Sequence, residues 1–483
     1  MLPVAVAAIC IGAFLYVLLF RSVRFEALIL GFLLFGYIVG NRGFAQLSIQ
    51  PNSPLYLGEL GMLACLFFIA ARRALTREQV IPKIPLAWAI IAFLLIGGIR
   101  LYFDTVMTNS STLVTLAIRD SAVVYYALFF FVAYQIGKNA NARNFLQRAM
   151  LGGFVLLIPV ALIEIWSPEL LYKLTYRGYP IIQYKGDLLT TFLGIAAFYF
   201  FLAPSKGTLK FIFRSCSLAC LGLMLLAMSR AALSGFACAA LLLIVAKRSK
   251  FIVYQFGVGL IAVLAIAFLQ LSHIRFESDF FRTLSDKVSS IGDVSGTGHY
   301  HSDIGDSSAA NNEFRIVWWK TVFNDTMQKN PWFGLGFGYD LAESFVRLYY
   351  ANQLPTWDTR SPHCMWITIL GRMGIVGAIS FSIIMYLIVR MALSTARAVS
   401  KGNQPEKNLA AWCASINLLI AAMFGVVLEG PMGGILFWSI LGLAVSQSVE
   451  AKDLKRLQPK LLTQSTREPA LAETGAIPQG RPA

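Results

Sequence analysis

The chain has 483 residues, of which 57% are hydrophobic and only 14% charged, and its mean hydropathy is +0.65. A soluble domain carries about a quarter charged residues, so the composition excludes one and points to an integral membrane protein. The net charge of +16 would suit a nucleic-acid binder, but the placement of the basic residues, described below, excludes that partner.

Apolar runs of about 17 to 25 residues, each long enough to cross a bilayer core as a helix, recur along the chain. They fall near 3–20, 25–41, 54–71, 86–103, 119–137, 148–166, 187–204, 209–228, 231–247, 251–272, 365–393, 409–427 and 432–448. Helices satisfy their own backbone polar groups in lipid, and the period-2 alternation of a barrel is absent. The expected fold is therefore all-α and polytopic, with about 12–13 transmembrane helices. Residues 1–20 lack a basic n-region and an A-x-A cleavage site, so the first run reads as a retained span.

Basic residues cluster in the short connections: Arg21 and Arg24; Arg72, Arg73, Arg77 and Lys83; Lys138, Arg143 and Arg148; Lys206, Lys210 and Arg214; Lys247, Arg248 and Lys250; Arg390, Arg397, Lys401 and Lys407. The clusters occupy alternate connections, as the positive-inside rule requires of one membrane face. Counting from them places the N-terminus outside, the C-terminus inside, and the connections 104–118, 167–186, 273–364 and 428–431 outside. The seven cysteines, at 10, 65, 216, 220, 238, 364 and 413, show no paired spacing and read as packing residues.

These observations divide the chain into an N-terminal helix bundle (1–272), one large outer loop (273–364), a C-terminal helical region (365–448) and a polar tail (449–483) expected to be disordered. The first part of the loop, SSIGDVSGTGHYHSDIGDSSAANN, is rich in Gly, Ser and Asp and reads as mobile. From Glu313 to Lys329 the pattern changes, with Phe314, Val317, Trp318, Val322 and Phe323 at helical spacing on one face. An amphipathic helix is expected there, lying along the outer membrane surface with its tryptophans at headgroup level. Asn330 and Pro331 end it. GLGFGYD follows no strand and no GK[ST] is present, so its glycines indicate a tight turn and not a nucleotide loop.

Three residues on the predicted outer face could carry chemistry. Arg230, in MSRAALSG, lies at the junction of the eighth and ninth runs, where a charge costs a few kcal/mol and implies a function. Snorkelling to the headgroups is the structural alternative, opposed by the bias against outer arginine. Arg315, in NNEFRIVWWK, offers a planar fork to phosphate or carboxylate, or a salt bridge to Glu313. His363, in SPHCMWITILGRMGIVG, sits at the membrane lip and can exchange a proton near neutrality, or is an ordinary surface histidine. His273, His299 and His301 lie in or beside the mobile part; HYH lacks the carboxylate or cysteine partners of a metal site.

Taken in order, these segments resemble the bacterial O-antigen ligase and O-antigen polymerase family. The resemblance rests on Ser229 and Arg230 at a span boundary, then Arg315 and Trp318 as R-x-x-W, then Asn330, Pro331, Gly334, Gly336 and Gly338 as N-P-x-x-G-x-G-x-G. His363 and a span with Gly371, Gly374 and Gly377 complete it, over roughly residues 215 to 395. It implies a glycosyltransferase of the bacterial inner membrane, active on the periplasmic face. The implied donor is an oligo- or polysaccharide on an undecaprenyl diphosphate carrier. The acceptor is a sugar hydroxyl, on lipid A-core for a ligase or on a second carrier-linked glycan for a polymerase. No cofactor, metal or nucleotide sugar is implied. Arg230 and Arg315 would clamp the departing diphosphate, and His363 would take the acceptor proton or hold a substrate group. Arg119, Arg177 and Lys185 would extend the cationic pocket, Trp318 would line it, and Glu429, in LEGPMGG, would meet a sugar or an arginine; for Arg119, Arg177, Lys185 and Glu429 structural pairing is the alternative reading. A transporter of lipid-linked glycan is the rival of another class, but the chain shows no internal repeat.

Overall fold

In the computed structural model the described residues are 24–47, 56–77, 79–107, 110–227, 229–248, 250, 251, 253, 254, 303–350, 352 and 359–465. They form an all-α polytopic membrane protein with a single two-stranded hairpin. The N-terminal part runs through α1 (Phe25–Ala45), α2 (Leu57–Thr76), α3 (Pro85–Val106), α4 (Ser111–Asp120), α5 (Ala122–Tyr125), α6 (Leu128–Gly137), α7 (Ala140–Trp166) and α8 (Pro168–Tyr172). The hairpin of β1 (Thr175–Tyr176) and β2 (Tyr179–Pro180) leads into α9 (Gly186–Leu202), α10 (Gly207–Ala227) and α11 (Arg230–Val245). Beyond them come α12 (Asp303–Lys329), α13 (Glu343–Tyr349), α14 (Met365–Ser400), α15 (Asn408–Ala422) and α16 (Pro431–Ser465).

Seven segments among the described residues are long and apolar enough to span a membrane, and α9, α11 and α15 are shorter apolar helices. With α2 included, eleven of the thirteen expected runs coincide with helices; 3–20 and most of 251–272 lie outside the described residues, as do His273, His299 and His301. The run at 119–137 is broken into α4, α5 and α6, and Ser121 Oγ donates back to Ile118 O at 2.8 Å at the first break. Such back-bonding offers the backbone an alternative to the helical ladder.

Burial sorts the helices. The apolar window of α16 is 89% buried inside the protein and that of α10 only 22%. Helix α16 packs on α6 and α15, α15 packs on α9 and α11, and α1 packs on α7. A helix apolar all round belongs at the centre of a bundle, and α16 occupies that place.

Two irregularities fix the positions of the site's elements. Helix α1 breaks at Asn41 (φ 48°, ψ −118°), and the freed backbone binds the segment before α9. Gln183 N–H donates to Gly40 O at 3.2 Å, Arg42 N–H donates to Gln183 O at 2.9 Å, and Lys185 N–H donates to Asn41 Oδ1 at 3.4 Å. The start of α9 is thereby tied to α1.

The second irregularity is where α12 returns to the bundle. The helix ends at Lys329, directly before Asn330 and Pro331, and the glycine turn then docks on α14. Gly334, Gly336 and Gly338 have φ of +74°, +100° and +87°, a region that costs side-chain-bearing residues strain. Helix α14 is itself broken at Gly374 (φ 65°, ψ −162°). A Cβ on Gly334 would lie 2.5 Å from Gly374 N, so neither backbone tolerates a side chain at this crossing. The broken ladder is repaired by the turn: Leu335 N–H donates to Gly371 O at 2.7 Å and Ile375 N–H donates to Pro331 O at 2.9 Å.

The face of α12 differs from the expectation for Trp318. Its indole is 1% exposed, stacked on Phe345 with centroids 5.2 Å apart, and donates from Nε1 to Leu341 O at 3.0 Å. With Val322, Leu341, Ala342 and Val346 it forms a second small core. The apolar face of α12 is thus covered by α13 and α14, and Trp318 is a packing residue without surface to offer a substrate.

Candidate functional site

Four helix amino ends, those of α9, α11, α14 and α16, meet at one end of the bundle with the carboxyl end of α15. Helix amino ends carry a partial positive charge of about half a unit and unpaired N–H groups. Around them stand Lys185 and Asp187 from α9, Ser229 and Arg230 from α11, Arg315 from α12, His363 before α14 and Glu429 before α16.

Asp187 is the hub. Its Oδ1 accepts from Ser229 Oγ at 3.1 Å, and its charge acts on Lys185, Arg315 and His363. Ser229 caps α11, so Arg230 is the first helical residue and lies half-buried beside this contact. Arg315 Nη1 donates to Phe424 O, the carbonyl just past α15, at 2.7 Å. Its Nε is buried and has no hydrogen-bond partner among the described residues. A buried guanidinium N–H left open in this way is costly unless something binds it.

His363 is held from three directions. Its backbone is left-handed, with φ 57°, a strain that persists only where the surroundings impose it. Its N–H donates to Ser361 Oγ at 3.3 Å. Trp319 Nε1 donates to Pro362 O at 2.6 Å, and the Trp318 ring lies 6.0 Å from the imidazole centroid. Burial, reinforced by Lys185 and Arg315 and opposed by Asp187, pushes the imidazole down from 6.5 to about 4. The ring is therefore neutral at pH 7.

Lys185 is also pushed below the usual lysine range, first by burial and further by Arg42 and Arg315, against Glu429 and Asp187. Glu429 accepts from Thr368 Oγ1 at 3.0 Å. Burial raises its carboxyl above the usual range, against the hydrogen bonds of Ser361 and Thr368 and the charges of Arg372 and Lys185. Lys185 and Glu429 thus belong to one electrostatic cluster with Arg315 and His363. Arg119 is exposed at the end of α4, and Arg177 is exposed at the hairpin turn with its guanidinium 5.3 Å from the Tyr176 ring centroid.

Beneath the site an ion network carries the glycine turn. Asp120 Oδ2 accepts from Gly338 N–H at 3.0 Å and pairs with Arg372 Nη1 at 2.9 Å and Arg360 Nη1 at 3.5 Å. Asp104 Oδ2 accepts from Phe337 N–H at 2.7 Å while paired to Arg100. Sequence reasoning did not single out these residues or Asp187. Arg372 inside an apolar run, and the Arg100–Asp104 pair at i,i+4 at the end of another, were available signals because charges in spans are rare.

Comparison with known proteins bears on this arrangement. Residues 215–382 match the family model described as O-Antigen ligase. Over that segment the chain is similar to the O-antigen ligase family. No match was found among curated proteins. The matched segment supplies Ser229, Arg230, Arg315 and His363, whereas Lys185, Asp187 and Glu429 come from flanking elements that close around it. The match supports an O-antigen ligase-like function in general.

The bond from Trp319 predicts a positioning effect. Trp319→Phe removes the N–H that holds Pro362 O but keeps most of the apolar ring, so turnover is expected to fall by about tenfold, the equivalent of one lost hydrogen bond of about 1.4 kcal/mol. KM should stay nearly constant, because Trp319 orients the His363 segment without meeting substrate. Equal loss in both parameters would place Trp319 in binding.

Proposed function

We propose that the chain transfers an oligo- or polysaccharide from a membrane carrier diphosphate to an acceptor sugar hydroxyl, on the outer face of a bacterial inner membrane and without a metal ion. The observation that carries this reading is the open, buried guanidinium of Arg315 beside a neutral imidazole and four helix amino ends. When a glycosidic bond to diphosphate breaks, negative charge accumulates on the leaving group. Preorganised donors in a dry site stabilise that charge most. Arg315, Arg230 and Lys185 supply the positive charge that a divalent ion would otherwise bring. His363, neutral at pH 7, is free to accept the hydroxyl proton. Asp187 steadies the clamp, since it bonds Ser229 and acts on both Arg315 and His363.

The test is to incubate the purified chain with carrier-linked glycan, with lipid A-core or with no second acceptor. Release of carrier diphosphate with glycan joined to lipid A-core supports ligation. Longer carrier-linked chains without lipid A-core identify a polymerase, and translocation without carrier release removes the transferase reading. Activity in chelator, unchanged by added magnesium, is expected.

A pH prediction follows from His363. The profile of kcat/KM reports the free enzyme, so its acid limb from this residue should fall near pH 4, displaced from 6.5. A bound diphosphate favours imidazolium, so the limb in kcat should lie at higher pH than that in kcat/KM. The sign for stability runs the same way: between pH 6.5 and about 4 the unfolded chain takes up a proton that the folded chain refuses, so stability falls as pH falls through that window. An acid limb at about 6.5 in kcat/KM that survives His363→Gln would assign it to another group.

A further inference from the structure

At the opposite end of the bundle, the carboxyl ends of α9 and α11, the start of α10 and the connection before α15 enclose a cavity of about 590 Å³. Six cationic side chains line it, Lys210, Arg214, Lys247, Arg248, Lys250 and Lys407, against one carboxylate, Glu406. Glu406 is engaged by Arg248 Nε at 2.8 Å. The carbonyl ends of α9 and α11 add partial negative charge of about half a unit each. The rim remains several charges positive.

Positive charge on alternate connections follows from the positive-inside rule, but that rule does not require it to gather round a cavity. Here Phe200, Phe201 and Leu202 make part of the lining apolar. Arg214 is oriented over two rings, 5.5 Å from the Phe201 centroid and 5.6 Å from that of Tyr254. Outside the rim, Leu209, Phe211 and Ile212 of α10 are 48%, 70% and 48% exposed, on the helix least buried in the protein among the seven spans. A ligand with a phosphate head and long apolar chains fits both features, because the head meets the cations while the chains lie along α10.

We propose that this cavity binds the phosphate headgroup of an anionic phospholipid, with its acyl chains on the outer surface of α10. The site is separate from the transfer chemistry, since it sits at the other ends of α9, α11 and α15. The lipid joins α10, the most peripheral span, to α9, α11 and the connection before α15.

The experiment uses the full chain in neutral detergent, titrated with phosphatidylglycerol, phosphatidylcholine or inorganic phosphate while thermal unfolding and lipid retention by native mass spectrometry are followed. Phosphatidylglycerol should raise the unfolding temperature and be retained; phosphatidylcholine and equimolar phosphate should not. The triple variant Arg214→Gln, Lys247→Gln, Lys407→Gln should bind phosphatidylglycerol roughly 10²-fold more weakly, as three surface cations contribute severalfold each. The charge-keeping triple variant Arg214→Lys, Lys247→Arg, Lys407→Arg should retain binding. Equal response to phosphatidylglycerol and phosphatidylcholine, or undiminished binding by the glutamine variant, overturns the site. Equal protection by inorganic phosphate overturns the lipid in favour of a soluble phosphate. Should the triple variant not fold, Lys407→Gln alone, at an exposed position, gives a severalfold loss, and the headgroup comparison on the unaltered chain stands independently.

Discussion

Arg315→Ala is expected to lower glycan transfer by roughly 10²–10³, the cost of removing one preorganised charged donor from a dry site. Arg230→Ala is expected to act with the same order of magnitude. Arg315→Lys should recover little. In the proposed clamp the Arg315 guanidinium, with Nη1 already on Phe424 O, would hold a diphosphate oxygen with its remaining N–H groups. A lysine keeps the charge but presents one point donor, which must choose between them. Carrier release from single-turnover reactions, normalised to folded protein in the membrane, measures the effect. Near-normal transfer by both alanine variants would overturn the diphosphate clamp. A severe loss in Arg315→Ala with normal turnover in His363→Gln would keep the clamp and move the base elsewhere.

Much of this arrangement was legible because lipid simplifies the sequence code. Apolar length alone located eleven helical runs among the described residues, and Asn330 with Pro331 ended α12 at the expected place. Lys185 and Glu429 entered only through the family resemblance; Lys185 feels the charges of Glu429 and Arg315 and acts on His363. What could not be read was which surfaces meet. The periodicity of α12 shows an apolar face but not its cover, so Trp318 reads as a membrane-surface residue although α13 and α14 bury it. Asp187 is one carboxylate at the start of an apolar run; its role appears only when α11 brings Ser229 within 3.1 Å. Pairs such as Asp120 and Arg372 depend on a tertiary approach that no local pattern encodes.

That pair supports the second large effect. Arg372 is 4% exposed and bridges Asp120 Oδ2 at 2.9 Å, Tyr339 O at 2.6 Å and Gly336 O at 3.3 Å, so it ties the glycine turn to α4 from inside α14. Asp120→Asn keeps the shape but leaves the guanidinium buried without its nearest counter-charge, which is expected to cost about 3–5 kcal/mol of stability. Arg372→Met removes the buried cation while Asp120 still faces Arg360 at 3.5 Å, so its cost should be smaller. The double variant should then be more stable than Asp120→Asn alone, because no uncompensated charge remains. Denaturant titration in detergent micelles reads the stabilities, and transfer normalised to the folded fraction reads the site. The pair acts on the turn and not on the diphosphate, so the surviving folded Asp120→Asn protein should keep most of its turnover. An Asp120→Asn variant as stable as the unaltered chain would show that the carbonyls of Gly336 and Tyr339 alone satisfy Arg372. A stable variant without turnover would instead draw Asp120 into the chemistry.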